Sequence, residues 1–244
     1  MNAKKFIAGM IMTLIAGVGG WFFFKGMQPT SNQLSLLFKA EINGQPLIYN
    51  DFAYNNPLGG QAFRIRDFRF FISHVELVGQ SGAHKVVDSF HLARFDNADR
   101  SYSLDLAEVP LKQVKKVRLS IGVDQASNTS IEPKGDLDPN SQMAWNWTMG
   151  YKFVLLEGAI DLGEQVAPLV YHVGFSENLK EIEFELPKAM DLSSGGEINF
   201  LVDPMKIFTA KERVDMAKLS SVKFAKDDAK LLADNYAAMI TLAD

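Results

Sequence analysis

The sequence contains no cysteine among its 244 residues. This absence excludes structural disulfides, thiolate zinc and iron–sulfur sites, a cysteine nucleophile and a lipid-modified N-terminal cysteine. A metal would have to be held by histidine, carboxylate, methionine or a less usual ligand. Histidine is also scarce: there are four, and no two of them stand two or four positions apart. A histidine site would therefore have to be assembled by the fold.

Basic charge is in short supply as well, with 25 Lys and Arg against 29 Asp and Glu. Binding to phosphate backbones needs a concentrated basic face, so we expect no nucleic-acid partner. The sequence lacks the phosphate-binding pattern G-x-x-x-x-G-K-[ST] and the hydrolase pattern G-x-S-x-G. These absences favour a binding protein over an enzyme.

The N-terminal segment has the character of an export signal or a membrane anchor. An uncharged run of 19 residues, Phe6–Phe24, lies between Lys5 and Lys25 and ends in Trp21 and three phenylalanines. This length approaches the roughly 20 residues that span a bilayer, which favours an uncleaved inner-membrane anchor over a cleaved signal peptide. We expect residues 1–28 to be this segment and residues 29–244 to form one exported domain, located in the periplasm or secreted after cleavage. Residues 1–28 contain three of the basic residues and no acidic one, which leaves the exported part at 22 against 29, a net charge of −7.

Alternating apolar residues dominate the exported part, and this is the period of β-strands. In the segment 67–77, Phe68, Phe70, Ile72 and His74 are expected to share one face, with Phe71, Val75 and Leu77 on the other. Turn signals separate many such runs, which predicts a mainly β, antiparallel sandwich-like single domain. The strand candidates are 34–42, 67–77, 86–95, 102–106, 114–123, 145–157, 166–175 and 181–186. Helical spacing appears only near the end, and it predicts C-terminal helices over Thr209–Leu219 and Asp227–Leu242.

The segment 143–153, MAWNWTMGYKF, is the densest in aromatic and sulfur side chains. On one continuous strand, Trp145, Trp147, Met149, Tyr151 and Phe153 would all point the same way. This pattern fits a sandwich core as well as a functional face. Among the histidines, His172 lies in an apolar strand and is as plausible a ligand as a core residue, whereas His74 ends a strand and is a weaker candidate.

Taken together, these segments resemble the MbnP-like family of exported copper-binding proteins, which is related to MbnP, CorA and MopE of methanotrophs. The most specific part is M-x-W-x-W-x-x-G-Y-K-F, followed by a strand that carries H-x-G. The likeness covers nearly all of the exported part. The matching segments are Phe38–Leu47, Phe70–Leu77, Ile121–Asn128, Met143–Gly158, Tyr171–Gly174 and Ala233–Asn235.

The resemblance implies one copper ion bound by histidine and by a tryptophan oxidised to kynurenine. His172 matches the family histidine, and Trp145 or Trp147 matches the tryptophan, with Trp145 preferred. The family oxidation is attributed to a MauG-type dihaem enzyme, which would make this protein a substrate of that partner. Many relatives have histidine at the positions of Ala40 and Thr129, so His74, Met143 or Met149 would have to substitute as ligands.

Two alternatives remain open from the sequence. One is a metal-free β-sandwich interaction module that kept the core and lost the copper ligands. The other is a hydrolytic or redox enzyme that uses His172 or His74 together with a nearby carboxylate.

Overall fold

The computed structural model describes residues 32–130, 132, 134–146 and 148–243. The expected anchor, residues 1–28, and Trp147 lie outside the described residues. No helix in the described part of the chain has the length and apolar character needed to cross a bilayer.

Fifteen strands and three short α-helices make up the described chain. The strands are β1 Leu34–Ile42, β2 Gln45–Pro46, β3 Tyr54–Asn55, β4 Ala62–Gly79, β5 Gly82–Lys85, β6 Phe90–Arg94, β7 Ser101–Leu106, β8 Gln113–Ile121, β9 Ala144–Asn146, β10 Gly150–Asp161, β11 Val166–Gly174, β12 Lys180–Asp191, β13 Gly196–Val202, β14 Ser221–Val222 and β15 Ile240–Leu242. The helices are α1 Gln125–Asn128, α2 Lys206–Thr209 and α3 Lys226–Tyr236. Two 3₁₀ turns lie at Pro139–Ser141 and Ser176–Asn178.

The strands form two sheets, which confirms the mainly β, sandwich-like fold. A five-stranded sheet has the order β15-β13-β1-β2, with β7 also paired to β1. A ten-stranded sheet is built around the long strand β4 and includes β12-β8-β4-β10-β11-β14. Most pairs are antiparallel, but β1 pairs with β13 in parallel, and β13 was not among the predicted strands.

The main core lies between the two sheets. Alternate residues of β1 point into it, including Leu36, Phe38 and Ala40, each at most 1% exposed. Phe38 stacks on Phe200 of β13 with ring centroids 4.8 Å apart, and Phe200 meets Phe184 of β12 edge-on at 4.9 Å. These aromatic contacts join the five-stranded sheet to the ten-stranded sheet, and burial of such rings is the main force that holds a sandwich together.

The predicted faces of β4 are wrong after Ser73, because a β-bulge lies at His74. Between Ser73 and Glu76 the pairing with β8 shifts register, and His74 takes a positive φ of 51°. The extra residue restores Val75 and Leu77 to the main core, where they join Phe68, Phe70 and Ile72. His74 is consequently turned out of the apolar row that alternation had assigned to it.

A second, smaller cluster covers the outer face of the ten-stranded sheet, the face turned away from the five-stranded sheet. We call it the outer cluster. The connection between β8 and β9 contributes Val123, Leu137 and Met143 to it. The outer cluster consists of Phe71, Phe90, Leu92, Val123, Leu137, Met143, Tyr151, Phe153 and Leu155.

The predicted helix over 209–219 is wrong, and only the four residues Lys206–Thr209 just before it are helical. The side chain of Asn235, fully buried in α3, accepts from the backbone N–H groups of Lys211 and Glu212. Asn56 accepts from the backbone N–H of Met216 at 3.0 Å. Because side chains already bind these donors, the segment is held as an irregular loop instead of a helix.

The second predicted helix, 227–242, is correct in its first part and too long. Helix α3 begins at Lys226 and ends at Tyr236, and Ile240–Leu242 is a strand that pairs with β13. Asp227 and Asp228 lie in the first turn, where negative charge is favourable.

Candidate metal site

His172 and Gly174 lie on the outer face of β11. Leu169, Tyr171 and Val173 alternate with them and belong to the main core, so residues 172 and 174 point the other way. A Cβ placed on Gly174 would come within 2.6 Å of the Trp145 ring. The Trp145 ring therefore packs against Gly174, on the same face of β11 as His172. Gly174 and His172 are two residues apart, about 7 Å along the strand.

The rest of the Trp145 ring is enclosed by aromatic side chains. Its centroid is 5.5 Å from that of Phe175 and 5.4 Å from that of Phe224. Phe224 is itself 57% exposed and covers the tryptophan from the solvent side. The indole Nε1 is buried and has no hydrogen-bond partner among the described residues. An unpaired buried donor costs about 1–3 kcal/mol, which makes this nitrogen the conspicuous unsatisfied group of the site.

The aromatic segment does not run as one strand. Strand β9 ends at Asn146 and β10 starts at Gly150, whose φ of 77° turns the chain back. The prediction of one continuous aromatic face is therefore wrong. Tyr151 and Phe153 join the outer cluster, whereas Trp145 packs against the main core and Gly174.

Asn128 fixes this turn. Its Oδ1 accepts from the backbone N–H of Tyr151 at 2.7 Å, and its Nδ2 donates to Ser176 Oγ at 3.2 Å. A Cβ on Gly150 would lie 2.3 Å from Asn128 Oδ1, so only glycine fits there. The asparagine thus connects α1 to the turn that carries Trp145.

His172 is held by a carboxylate. Its Nε2 lies 2.8 Å from Glu157 Oε1 on the neighbouring strand β10, and its side chain is 12% exposed. Glu157 also forms an ion pair with Arg66 through its other oxygen. Burial lowers the pKa of His172, with the nearby Lys152 and Lys223 charges acting in the same direction and Glu157 opposing them. The imidazole is accordingly neutral at pH 7 and keeps a lone pair for a metal.

The other proposed ligands do not converge on His172. Met143 is fully buried in the outer cluster. Leu155 of β10 pairs with His172 on one side and with Arg69 of β4 on the other. His74 lies five residues further along β4 than Arg69, so it is roughly 16 Å from the level of His172 along the strand direction. Its Nε2 lies 3.2 Å from Asp124 Oδ2, and Asp124 caps helix α1 by accepting from Ser127 N–H. His74 is thus tied to the start of α1.

Comparison with known families identifies the chain. The family model MbnP matches residues 31–226, which is most of the sequence.

The chain belongs to the MbnP family.

Among solved structures, MbnP from Methylosinus trichosporium is similar at 17% sequence identity and a TM-score of 0.47. The match covers 73% of this chain and 78% of that one. A search of the curated proteins finds no match.

The two positions at which the resemblance implied histidine in relatives, Ala40 and Thr129, lie in different places. Ala40 is 1% exposed and faces the main core, so a side chain there points into the sandwich and not toward the outer face that carries His172. Thr129 ends helix α1 beside Asn128, and it lines a surface depression together with Met149 and Phe175. Thr129 is therefore the substitution that lies near Trp145.

Sequence reasoning missed two functional features of this MbnP-family site. Glu157 was noted only as part of a matching segment, although it contacts His172. Gly174 was noted only as the glycine of H-x-G, although Trp145 lies against it. Within the described residues there is no group of three or more His, Asp or Glu that could hold a metal ion. A metal here would need a ligand of another kind.

Proposed function

We propose that this MbnP-family protein is an exported copper-binding protein that works in copper acquisition or handling. The observation that carries the proposal is that Trp145 of β9 packs on the face of β11 that bears His172. The indole lies against Gly174, two residues after His172. The two residues are brought together from segments 27 positions apart in the chain.

Oxidation of the tryptophan would supply the missing ligand. An indole nitrogen is only a donor, and its lone pair belongs to the ring, so unmodified tryptophan is a poor metal ligand. Kynurenine formation cleaves the indole C2–C3 bond with an oxidant equivalent to one O₂: C3 becomes a ketone, and C2 leaves as formate when the N-formyl group is hydrolysed. The side chain thereby gains one oxygen atom and loses one carbon atom. The resulting aniline nitrogen and ketone oxygen both have free lone pairs. The buried Nε1 of Trp145 has no hydrogen-bond partner among the described residues, and this supports Trp145 as the modified residue.

Imidazole nitrogen is a suitable ligand for copper. We propose Cu(I) as the bound state, with an oxidised Trp145 and His172 as its nitrogen ligands.

Export and partners complete the proposal. Residues 6–24 would anchor the protein in the inner membrane, or be cleaved, and place the domain in the periplasm. A MauG-type dihaem enzyme would oxidise the tryptophan, so this protein is the substrate of an enzyme and performs no catalysis itself.

Histidine–carboxylate pairs of the kind that enzymes use do occur, at His172–Glu157 and at His74–Asp124. Ser73 Oγ lies 3.2 Å from His74 Nδ1, but Ser73 is completely buried and donates to the carbonyl of Gly122. This serine has no access to a substrate, which supports binding over hydrolysis.

The test is the copper content and the mass of the protein purified from its native host. We expect one copper per chain, and a tryptic peptide containing Trp145 whose mass has gained one oxygen and lost one carbon. His172→Ala should lose the copper, whereas His84→Ala on strand β5 should keep it and serves as the matched control. Unmodified tryptophan together with no copper would refute the proposal.

A metal-free interaction module is the second candidate. Thr129 in place of a family histidine, and a His172 already bonded to Glu157, both favour it. It predicts no copper in native protein and no change in copper content for His172→Ala.

A further inference from the structure

Glu157 is held from two sides, and this distinguishes it from an ordinary surface glutamate. One carboxylate oxygen lies 2.8 Å from His172 Nε2, and the other pairs with Arg66. The Glu157 side chain is 22% exposed and that of His172 is 12% exposed. The two residues lie diagonally on adjacent strands, since His172 is opposite Leu155 and Glu157 is opposite Val170. A different orientation of either side chain would break the His172–Glu157 contact.

This contact determines which imidazole nitrogen carries the proton. A carboxylate paired with arginine is an acceptor only, so the hydrogen bond requires Nε2 to be the donor. A neutral imidazole has one N–H, and its other nitrogen then keeps the lone pair. No hydrogen bond is found for Nδ1 among the described residues. Nδ1 is therefore the nitrogen of His172 whose lone pair is free to bind a metal.

We infer that Glu157 is the positioning residue of the copper site: it holds His172 in the Nε2–H form and leaves Nδ1 to bind the metal. The inference rests on the proposed copper function but assigns a role to a residue that does not touch the metal. Carboxylates that hold the second nitrogen of a ligand histidine fix its orientation and increase its basicity. Arg66 extends the chain of contacts by fixing Glu157.

The first measurement needs no copper. In metal-free protein labelled with ¹⁵N in its histidines, the His172 imidazole should show a protonated Nε2 and an unprotonated Nδ1. Glu157→Ala should give a mixture of the two tautomers, because no acceptor remains at Nε2. Glu157→Gln should keep the Nε2–H form, because an amide carbonyl accepts the same hydrogen bond.

The second measurement is Cu(I) affinity, determined by competition with a chromophoric Cu(I) chelator on the kynurenine-containing protein. Glu157→Ala should weaken binding about 10- to 100-fold, the usual effect of losing such a partner. Glu157→Gln should recover most of that loss. Glu76→Ala is the matched control, since Glu76 pairs with Arg118 at 2.8 Å on the same sheet and makes no contact with His172.

A proton on Nδ1 in the wild-type protein, or a Glu157→Ala affinity equal to that of Glu76→Ala, would overturn the inference. If the wild type binds no Cu(I), the proposed function fails, while the tautomer measurement still decides the role of Glu157. If Glu157→Ala does not fold, Glu157→Gln decides: protonated Nε2 with an affinity within several-fold of wild type supports the inference, and protonated Nδ1 with an unchanged affinity refutes it.

Discussion

The two faces of the ten-stranded sheet are built in different ways. The inner face packs against the five-stranded sheet through apolar side chains that are almost fully enclosed. The outer face carries the outer cluster, the turn with Trp145, and the charged contacts of His172. Enclosed apolar packing therefore characterises the inner face, whereas loops, a half-buried tryptophan and charged contacts characterise the outer face.

The largest expected effect tests this division with one buried leucine from the main core and one from the outer cluster. Leu36→Ala opens a cavity between two sheets, whose strands cannot close on it, and should cost about 4–5 kcal/mol. Leu155→Ala opens a cavity in the smaller outer cluster and should cost about 2–3 kcal/mol. The measurement is urea unfolding monitored by circular dichroism. An equal or larger loss for Leu155 would show that the outer face is as rigid as the inner one.

A smaller effect is expected at Gly174, where the outer face is most crowded. The Cβ of Gly174→Ala would lie 2.5 Å from the Tyr151 carbonyl oxygen and 2.6 Å from the Trp145 ring. We expect a loss of about 1–3 kcal/mol, together with a displaced indole and a changed near-ultraviolet circular dichroism spectrum. Gly163→Ala is a control for backbone strain, because its φ is 88° and no atom lies within 4 Å of the added Cβ. An unaltered tryptophan signal in Gly174→Ala would show that Trp145 does not pack against β11.

The smallest effect on stability is expected at Phe224, where the side chain contributes little to the core but contacts Trp145. The ring is 57% exposed, so Phe224→Ala should cost no more than about 1 kcal/mol. Its removal uncovers Trp145, and the tryptophan fluorescence should shift to longer wavelength and become accessible to a soluble quencher. Val87→Ala, at a position 83% exposed, should change neither property. Fluorescence that stays unchanged would mean that Phe224 does not cover the indole.

The strands could be predicted from the sequence because alternation reports directly which face is buried. The predicted strand 166–175 corresponds closely to β11, and 102–106 corresponds to β7. The alternation fails at His74, because a one-residue bulge reverses every later side chain without changing the composition. The helical spacing fails at 209–219, because backbone N–H groups there donate to the side chains of Asn235 and Asn56. Contacts with residues so distant in the sequence leave no periodic signal.

The candidate site was predictable only in part. His172 and Trp145 were identified by resemblance, and the structure places them on one face. Their meeting depends on Gly174, Gly150 and Asn128, whose roles are close approach, a positive φ and a long-range hydrogen bond. None of these is a property of the local pattern. The ligand candidates His74 and Met143 were drawn from residue type alone, and the fold places neither beside His172.

The most direct test of the account is a crystal structure of the copper-loaded protein with anomalous scattering measured at the copper absorption edge. The account predicts one anomalous peak per chain, within bonding distance of His172 Nδ1 and of the oxidised side chain at position 145, with Glu157 still bonded to Nε2. A peak at His74 or Met143, or no peak in protein that carries the modified tryptophan, would contradict it.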